Sequence, residues 1–282
     1  MSAPTFPEPP AHVVRDAVER AIAEDLTPIG DVTSALLDPS TTATCRIVAR
    51  EAGTLAGVAC AVESFRQIDA TVVVERRRRD GDALVAGEVI AEVSGPLPSI
   101  LTAERTALNF LGHLSGIATL TARYVAAAAA GGRAQVWDTR KTTPGLRTLE
   151  KAAVRAGGGR NHRGNLSEWI LLKDNHIAGI GITEAVRRAK DLWPARTVHI
   201  ECDRLDQAVE AAAAGAGAVL LDNMTTDEVR DCVAAIDGRC LVEVSGGITL
   251  ETIAAYSATG ADLISVGRIT NSAPVFDIGL DI

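Results

Sequence analysis

The sequence predicts an α/β protein, with a barrel-type parallel sheet in its second half and a separate α+β domain ahead of it. Three observations carry this. Six short apolar segments each end in polar or charged residues: VWDTRK (136–141), ILLKDNH (170–176), VHIECD (198–203), VLLDN (219–223), LVEVSGG (241–247) and LISVGR (263–268). Between them lie stretches of helical periodicity, including EAVRRAKDLW, LDQAVEAAAAGA, DEVRDCVAAID and LETIAAYSATG. Strand and helix alternating at this spacing give right-handed βαβ units and a parallel sheet. Residues 43–95 instead alternate at period two, as in ATCRIVARE and TVVVERRRR, the pattern of an antiparallel sheet. In a parallel barrel ligands sit at the carboxyl ends of the strands, where the polar residues fall here.

Taken in order, residues 1–10 carry four prolines and are expected as a loosely held arm. Over 11–25 the spacing of Val13, Val14, Ala17, Val18, Ala21 and Ile22 predicts an amphipathic helix. A helix is expected near 59–68 within the antiparallel region. DGDALVAGEVIAEV has the pattern of half a biotinyl or lipoyl carrier, but no lysine occupies its turn, so it reads as a plain hairpin. One long helix or two is expected over 100–130, starting near Thr102 with an acidic residue in its first turn. The barrel follows from about 133. The expected division is 1–115, joined by 272–282, and a barrel over 116–271, with the apolar DIGLDI end returning to the first domain.

A chain of 282 residues, 47% hydrophobic and 23% charged, buries a full core. Its net charge of −8 argues against a nucleic-acid backbone as partner. The dense basic run Arg76–Arg79 reads as a solvated strand edge or turn before Asp80-Gly81, since no aromatics interleave it. The alanine tracts 126–130 and 211–214 are far short of a membrane span. No apolar core follows the first methionine, so no secretory signal is expected. Five cysteines without CxxC spacing fit reduced thiols in a cytoplasmic protein and argue against structural zinc.

The chemistry concentrates at the strand ends. Thr139, Arg140 and Lys141 follow a strand and precede Pro144-Gly145. A planar guanidinium beside an ammonium suits a carboxylate grip plus a point charge for phosphate, although two cations alone read more readily as a surface ion-pair site. GGGRNHR (157–163) adds His162 and Arg163, and Lys173 closes a strand apolar enough to be buried. Several cations converging in an acidic protein point to a polyanionic substrate. Glu201 and Asp222 end successive strands, where carboxylates hold sugar hydroxyls, hold magnesium through water or stabilise a cationic transition state. Either also reads as a helix N-cap, Asp222 with Asn223 in particular. Ser245-Gly246-Gly247 and Gly267 are expected to offer backbone N–H groups at helix starts, as a phosphate cradle. His113 and His176 read as structural hydrogen-bonding residues. The inventory matches a phosphoribosyl donor meeting an acidic acceptor.

EDLTPIGDVTS (24–34), LTAERTALNFLGHLSGIAT (101–119), DTRKTTPGLR (138–147), GGGRNHR, KDNH, LLDN, EVSGGI and SVGRITNSAP together resemble the quinolinate phosphoribosyltransferase family, in order along nearly the whole chain. The resemblance implies an N-terminal α/β sandwich, an open or incomplete α/β barrel, and a homodimer whose sites are each finished by the partner. It implies that Arg105 of the neighbouring subunit, Arg140 and Arg163 grip the quinolinate carboxylates, with His162 nearby. Lys141 and Lys173 then face pyrophosphate and the substrate, Glu201 and Asp222 the ribose, and Ser245, Gly246, Gly247 and Gly267 the 5-phosphate. Magnesium accompanies the phosphoribosyl pyrophosphate. Two positions depart from the commoner SVGALTHS pattern: Arg268 stands for a small residue and Asn271 for histidine, and Arg268 adds charge at the last phosphate contact.

Three rivals share parts of this pattern. A phosphate-binding barrel lyase or isomerase has no need for Arg105, Arg140 and Arg163 together. A paralogue of the fold associated with molybdenum transport operons takes another acceptor. A sensor binds an acidic metabolite without turnover.

Overall fold

The computed structural model describes residues 8–282, so the proline-rich arm lies, for residues 1–7, outside the described residues. The chain forms α1 (Ala11–Leu26), β1 (Thr42–Ala49), β2 (Gly53–Thr54), α2 (Val58–Ile68), β3 (Val73–Arg76), β4 (Ala83–Leu84), β5 (Val89–Pro96) and α3 (Leu97–Gly131). It continues through β6 (Gln135–Trp137), α4 (Arg147–Ala156), β7 (Ile170–Leu172), α5 (Asp174–Ile177), α6 (Ile182–Leu192), β8 (Val198–Cys202) and α7 (Leu205–Ala213). The last elements are β9 (Ala218–Asp222), α8 (Thr226–Ile236), β10 (Leu241–Ser245), α9 (Ile253–Ser257), β11 (Leu263–Ser265), α10 (Arg268–Asn271) and β12 (Ile278–Asp281). Packing groups them into two compact units: residues up to Ala122 with Thr142–Gly158 and Ile269–Ile282, and Arg123–Lys141 with Gly159–Arg268.

The first unit is an antiparallel sheet in the order β12-β1-β5-β3. Period two in β1 sends Cys45, Ile47 and Ala49 to one side, where they meet Ala61 and Phe65 of α2 and Ile100, Ala103, Ala107 and Leu111 of α3 in one core cluster. This sheet-on-helix layer is the sandwich expected, and β12 closes the sheet with residues of the DIGLDI end. The arginine run lies in solvent, with Arg77, Arg78 and Arg79 paired to Glu75 and Glu92, Glu88 and Asp82. Asp80 reaches back to accept the N–H groups of Gly57 and Val58 at the start of α2, satisfying helix donors that have no side-chain cap of their own.

Two local expectations are corrected here. The 83–96 stretch is not a hairpin: β4 pairs with β2, and β5 pairs with β1 and β3. The long helix starts at Leu97 rather than near Thr102 and runs unbroken for 35 residues. Thr102 lies inside it, its hydroxyl donating to Pro98 O and Asp31 Oδ2, so a residue that suits a cap acts as a tether.

The second unit is a six-stranded parallel sheet in the order β6-β11-β10-β9-β8-β7. Its register divides the side chains cleanly. Val136, Ile264, Val242, Val244, Val219, Leu221, Val198 and Ile200 share one buried face, which α6, α7 and α8 cover with residues such as Val186, Ala211 and Val229. Trp137, Ser265, Glu243, Ser245, Asp222, Glu201 and His199 share the other. One apolar face under helices and one polar face turned inward is the division a barrel requires. The sheet curls, because Trp137 on one edge strand lies 6.3 Å, ring to ring, from Trp169 beside the other. Between them the 160s run pairs along β6, with Arg160 N–H to Val136 O and Asp138 N–H to Arg160 O.

Candidate active site

The polar face ends in two clusters. At the β7–β9 end, Lys173 Nζ lies 2.6 Å from Glu201 Oε2. The strand that Lys173 closes, expected to be buried, is only half-buried, and the lysine just past its end has a side chain 46% exposed. The Asp222 carboxyl is raised above the ordinary range by burial first and by the Glu201 charge second, while Lys173 and Lys141 pull it the other way. These four predicted residues therefore share one electrostatic environment. Asp222 is not a helix cap. Thr225 caps α8 in a reciprocal box with Glu228, and Asn223 Nδ2 donates instead to Asp222 Oδ2 at 2.7 Å.

At the other end Asp138, wholly buried, accepts the backbone N–H of His162 at 2.8 Å and the Asn161 amide at 2.7 Å. One carboxylate thus ties the Thr139-Arg140-Lys141 loop to His162 and Arg163. Thr139 turns its hydroxyl to the Lys141 N–H. Arg163 is buried, donates to Trp169 O at 3.2 Å, and has its pKa lowered by burial and then by the Arg140 charge. Two guanidinium groups near enough to repel one another, one of them buried, form a surface that an anion relieves.

The residues expected to cradle phosphate divide. Ser245 ends β10 beside Asp222, but Gly246 and Gly247 do not open a helix, because α9 starts only at Ile253. Gly246 needs its lack of a side chain, since its φ is +97° and a Cβ would stand 2.2 Å from Asn223 Oδ1. Gly267 directly precedes the short α10. Arg268 is exposed, its charge felt by Tyr124 and Glu251. Arg105 lies in the first unit, exposed on α3, where with Asn109, Phe276 and Asp277 it borders a depression of about 470 Å³.

His113 and His176 each make a hydrogen bond of the kind expected of them. Nε2 of His113 is 2.8 Å from Glu150, and Nδ1 of His176 accepts the Lys173 N–H. The sequence reading missed Asp138, His199 and Glu243. The signal was there: a histidine and a glutamate inside the otherwise apolar runs VHIEC and LVEVS. His162, His199 and Glu243, all buried, bring potential metal-ligand atoms within 4.8 Å of one another. Glu201 and Asp222 offer hard carboxylate oxygens of the kind that could hold a magnesium ion.

Comparison with known proteins agrees with the fold. The family models "Quinolinate phosphoribosyl transferase, N-terminal domain" and "C-terminal domain" match residues 31–115 and 117–281. A probable nicotinate-nucleotide pyrophosphorylase [carboxylating] of Bacillus subtilis is 42% identical over 255 residues, covering 90% of this chain and 88% of its own. The nicotinate-nucleotide pyrophosphorylase [carboxylating] of Mycobacterium leprae is 40% identical over 276 residues, covering 95% and 96%. The structure of the nicotinate-nucleotide pyrophosphorylase from Francisella tularensis superposes with a TM-score of 0.93 at 38% identity, over 99% of each chain.

Proposed function

The chain belongs to the quinolinate phosphoribosyltransferase family, and from that premise we propose how its residues divide the work. Its reaction is the transfer of a phosphoribosyl group from phosphoribosyl pyrophosphate to quinolinate, with loss of carbon dioxide, in NAD biosynthesis. Arg140, Arg163 and His162 hold the acceptor through its carboxylates, and Arg105 reaches it from the partner subunit of a homodimer. The pairing of planar guanidinium with carboxylate fixes the pyridine nitrogen towards the ribose.

The nitrogen lone pair forms a bond to the anomeric carbon as the carbon–oxygen bond to pyrophosphate breaks. Glu201 and Asp222 stabilise the positive charge that develops on the ribose, and Lys141 and Lys173 meet the departing pyrophosphate. Glu201 and Asp222 would also hold magnesium, which neutralises the leaving group when bound. Ser245, Gly246, Gly247, Gly267 and Arg268 take the 5-phosphate. The carbon–carbon bond to the 2-carboxylate then breaks, its electron pair remaining on the ring carbon beside the new pyridinium. Lys141 or Lys173 supplies the proton that completes nicotinate mononucleotide.

The observation that supports this reading is that Lys141, Lys173 and Glu201 all act on Asp222 at the carboxyl ends of the strands, with the Asp138-tied basic loop on the same sheet. Among the described residues no helix is long and apolar enough to cross a membrane. Mass spectrometry of the product tests the reading. Quinolinate and phosphoribosyl pyrophosphate are expected to yield the mononucleotide that has lost one carboxylate. A mononucleotide retaining both, or no product with quinolinate tightly bound, contradicts it.

A further inference from the structure

Behind the acceptor end of the pocket lies a carboxylate that the phosphoribosyl transfer does not use. Glu243 sits in mid-β10, wholly buried, in register with Leu220 and Leu263 and two residues before Ser245. Its oxygens are met from three strands or loops. Ser265 Oγ hydrogen-bonds Oε1, His162 Nε2 is 3.3 Å from Oε1, and His199 Nδ1 is 3.7 Å from Oε2. Burial pushes this carboxyl up, yet the Ser265 hydroxyl that bonds it and the His162 and His199 rings that face it more than offset that and hold it at about 2. Glu243 is therefore charged at neutral pH.

An ionised carboxylate offers only acceptors, so its charge favours a proton on the ring nitrogen that faces it. For His162 that nitrogen is Nε2. The ring is also walled in: Trp169 meets it edge-on at 4.9 Å and stacks on His199 at 5.2 Å, and Trp137 meets it edge-on at 6.4 Å. Its backbone is held by Asp138.

We propose that Glu243 is a positioning residue for the acceptor end of the site, fixing the plane and the Nε2–H tautomer of His162 so that Nδ1 meets the acceptor in one orientation. His199 and Ser265 hold the carboxylate in turn. This rests on the reading of His162 as an acceptor contact. The competing occupant is a divalent ion bound by His162, His199 and Glu243, whose ligand atoms lie close enough together.

Two measurements on the whole enzyme test this. In protein labelled with 15N-histidine, the His162 resonances, assigned by their loss in His162→Gln, are expected to report the Nε2–H form at neutral pH. In Glu243→Gln, which keeps the shape and removes the charge, that signature is expected to give way to a tautomer mixture. The quinolinate KM should rise about 10-fold, with the phosphoribosyl pyrophosphate KM within about two-fold, as for other residues that orient a binding histidine. Should Glu243→Gln not fold, Ser265→Ala loosens the same carboxylate and is expected to shift both readouts in the same direction. A wild-type His162 protonated on Nδ1 alone, or a variant with unchanged quinolinate KM, overturns the proposal. So does one equivalent of metal in the purified enzyme that is lost with Glu243→Gln. A wild type that turns over no quinolinate overturns the functional reading and this proposal with it, and is told apart because no variant is needed to see it.

Discussion

Lys173 Nζ and Glu201 Oε2 stand 2.6 Å apart, so a cation assigned to pyrophosphate and a carboxylate assigned to ribose are paired with one another. The pair also acts on Asp222, whose carboxyl is raised by burial first and by Glu201 second, while Lys173 pulls it down.

A pH profile follows from this arrangement. Asp222 must be ionised to stabilise a cationic ribose, and its carboxyl is raised by burial and then by Glu201, so kcat/KM should fall on the acid side at a pH above the ordinary carboxylate range. Lys173→Gln removes a lowering influence, and the acid limb is expected to move to higher pH as overall activity drops. A limb that stays in place separates Lys173 from Asp222.

Asp222→Asn separates binding from chemistry. The charge it removes matters most as pyrophosphate leaves, so turnover should fall on the order of 10²-fold, by comparison with other deleted electrostatic contacts in active sites. Quinolinate affinity by calorimetry should stay unchanged, because arginines hold the acceptor. Near-normal turnover with quinolinate binding abolished would move Asp222 into the support of the basic cluster.

Much of this was legible in the sequence, and the reasons are specific. The six strand ends are short apolar runs that stop at polar or charged residues, and in a parallel sheet that pattern fixes both the strands and the rim on which Lys141, Lys173, Glu201 and Asp222 stand. The 83–96 stretch was misread because strand pairing is a long-range choice: β4 finds β2, 30 residues earlier in the chain, and period-two alternation cannot name a partner. The start of α3 was placed late because Thr102 suits a cap, yet Leu97 and Pro98 open the helix. Glu243 and His199 were hidden by the same logic that revealed the strands, since a strand reading treats one polar residue in an apolar run as an interruption.

Asp138→Ala probes the tie between the two halves of the basic cluster. It leaves the His162 N–H and the Asn161 amide without their buried acceptor, a loss of roughly 1–3 kcal/mol for each unsatisfied group. The urea midpoint should fall, and quinolinate binding should weaken with it. A variant of wild-type stability that binds quinolinate normally would show that Asp138 does not organise the loop.

Arg105 is assigned to the partner's site. Mixing inactive Arg105→Ala and Lys141→Ala proteins under subunit exchange should restore about one intact site in four, because only the mixed dimer of a two-fold pair combines a native Lys141 with a native Arg105. Proven exchange with no recovery would return Arg105 to its own subunit or remove it from the site.

The central claim is that Arg105, Arg140 and Arg163 select an acceptor with two carboxylates. The most direct measurement is kcat/KM for quinolinate against nicotinate, under saturating phosphoribosyl pyrophosphate, with the same enzyme. A buried guanidinium left without its carboxylate is costly, and sites built on such pairings reject the analogue lacking the group by about 10⁴-fold. The account predicts a ratio of that order in favour of quinolinate, and comparable values for the two acids would contradict it.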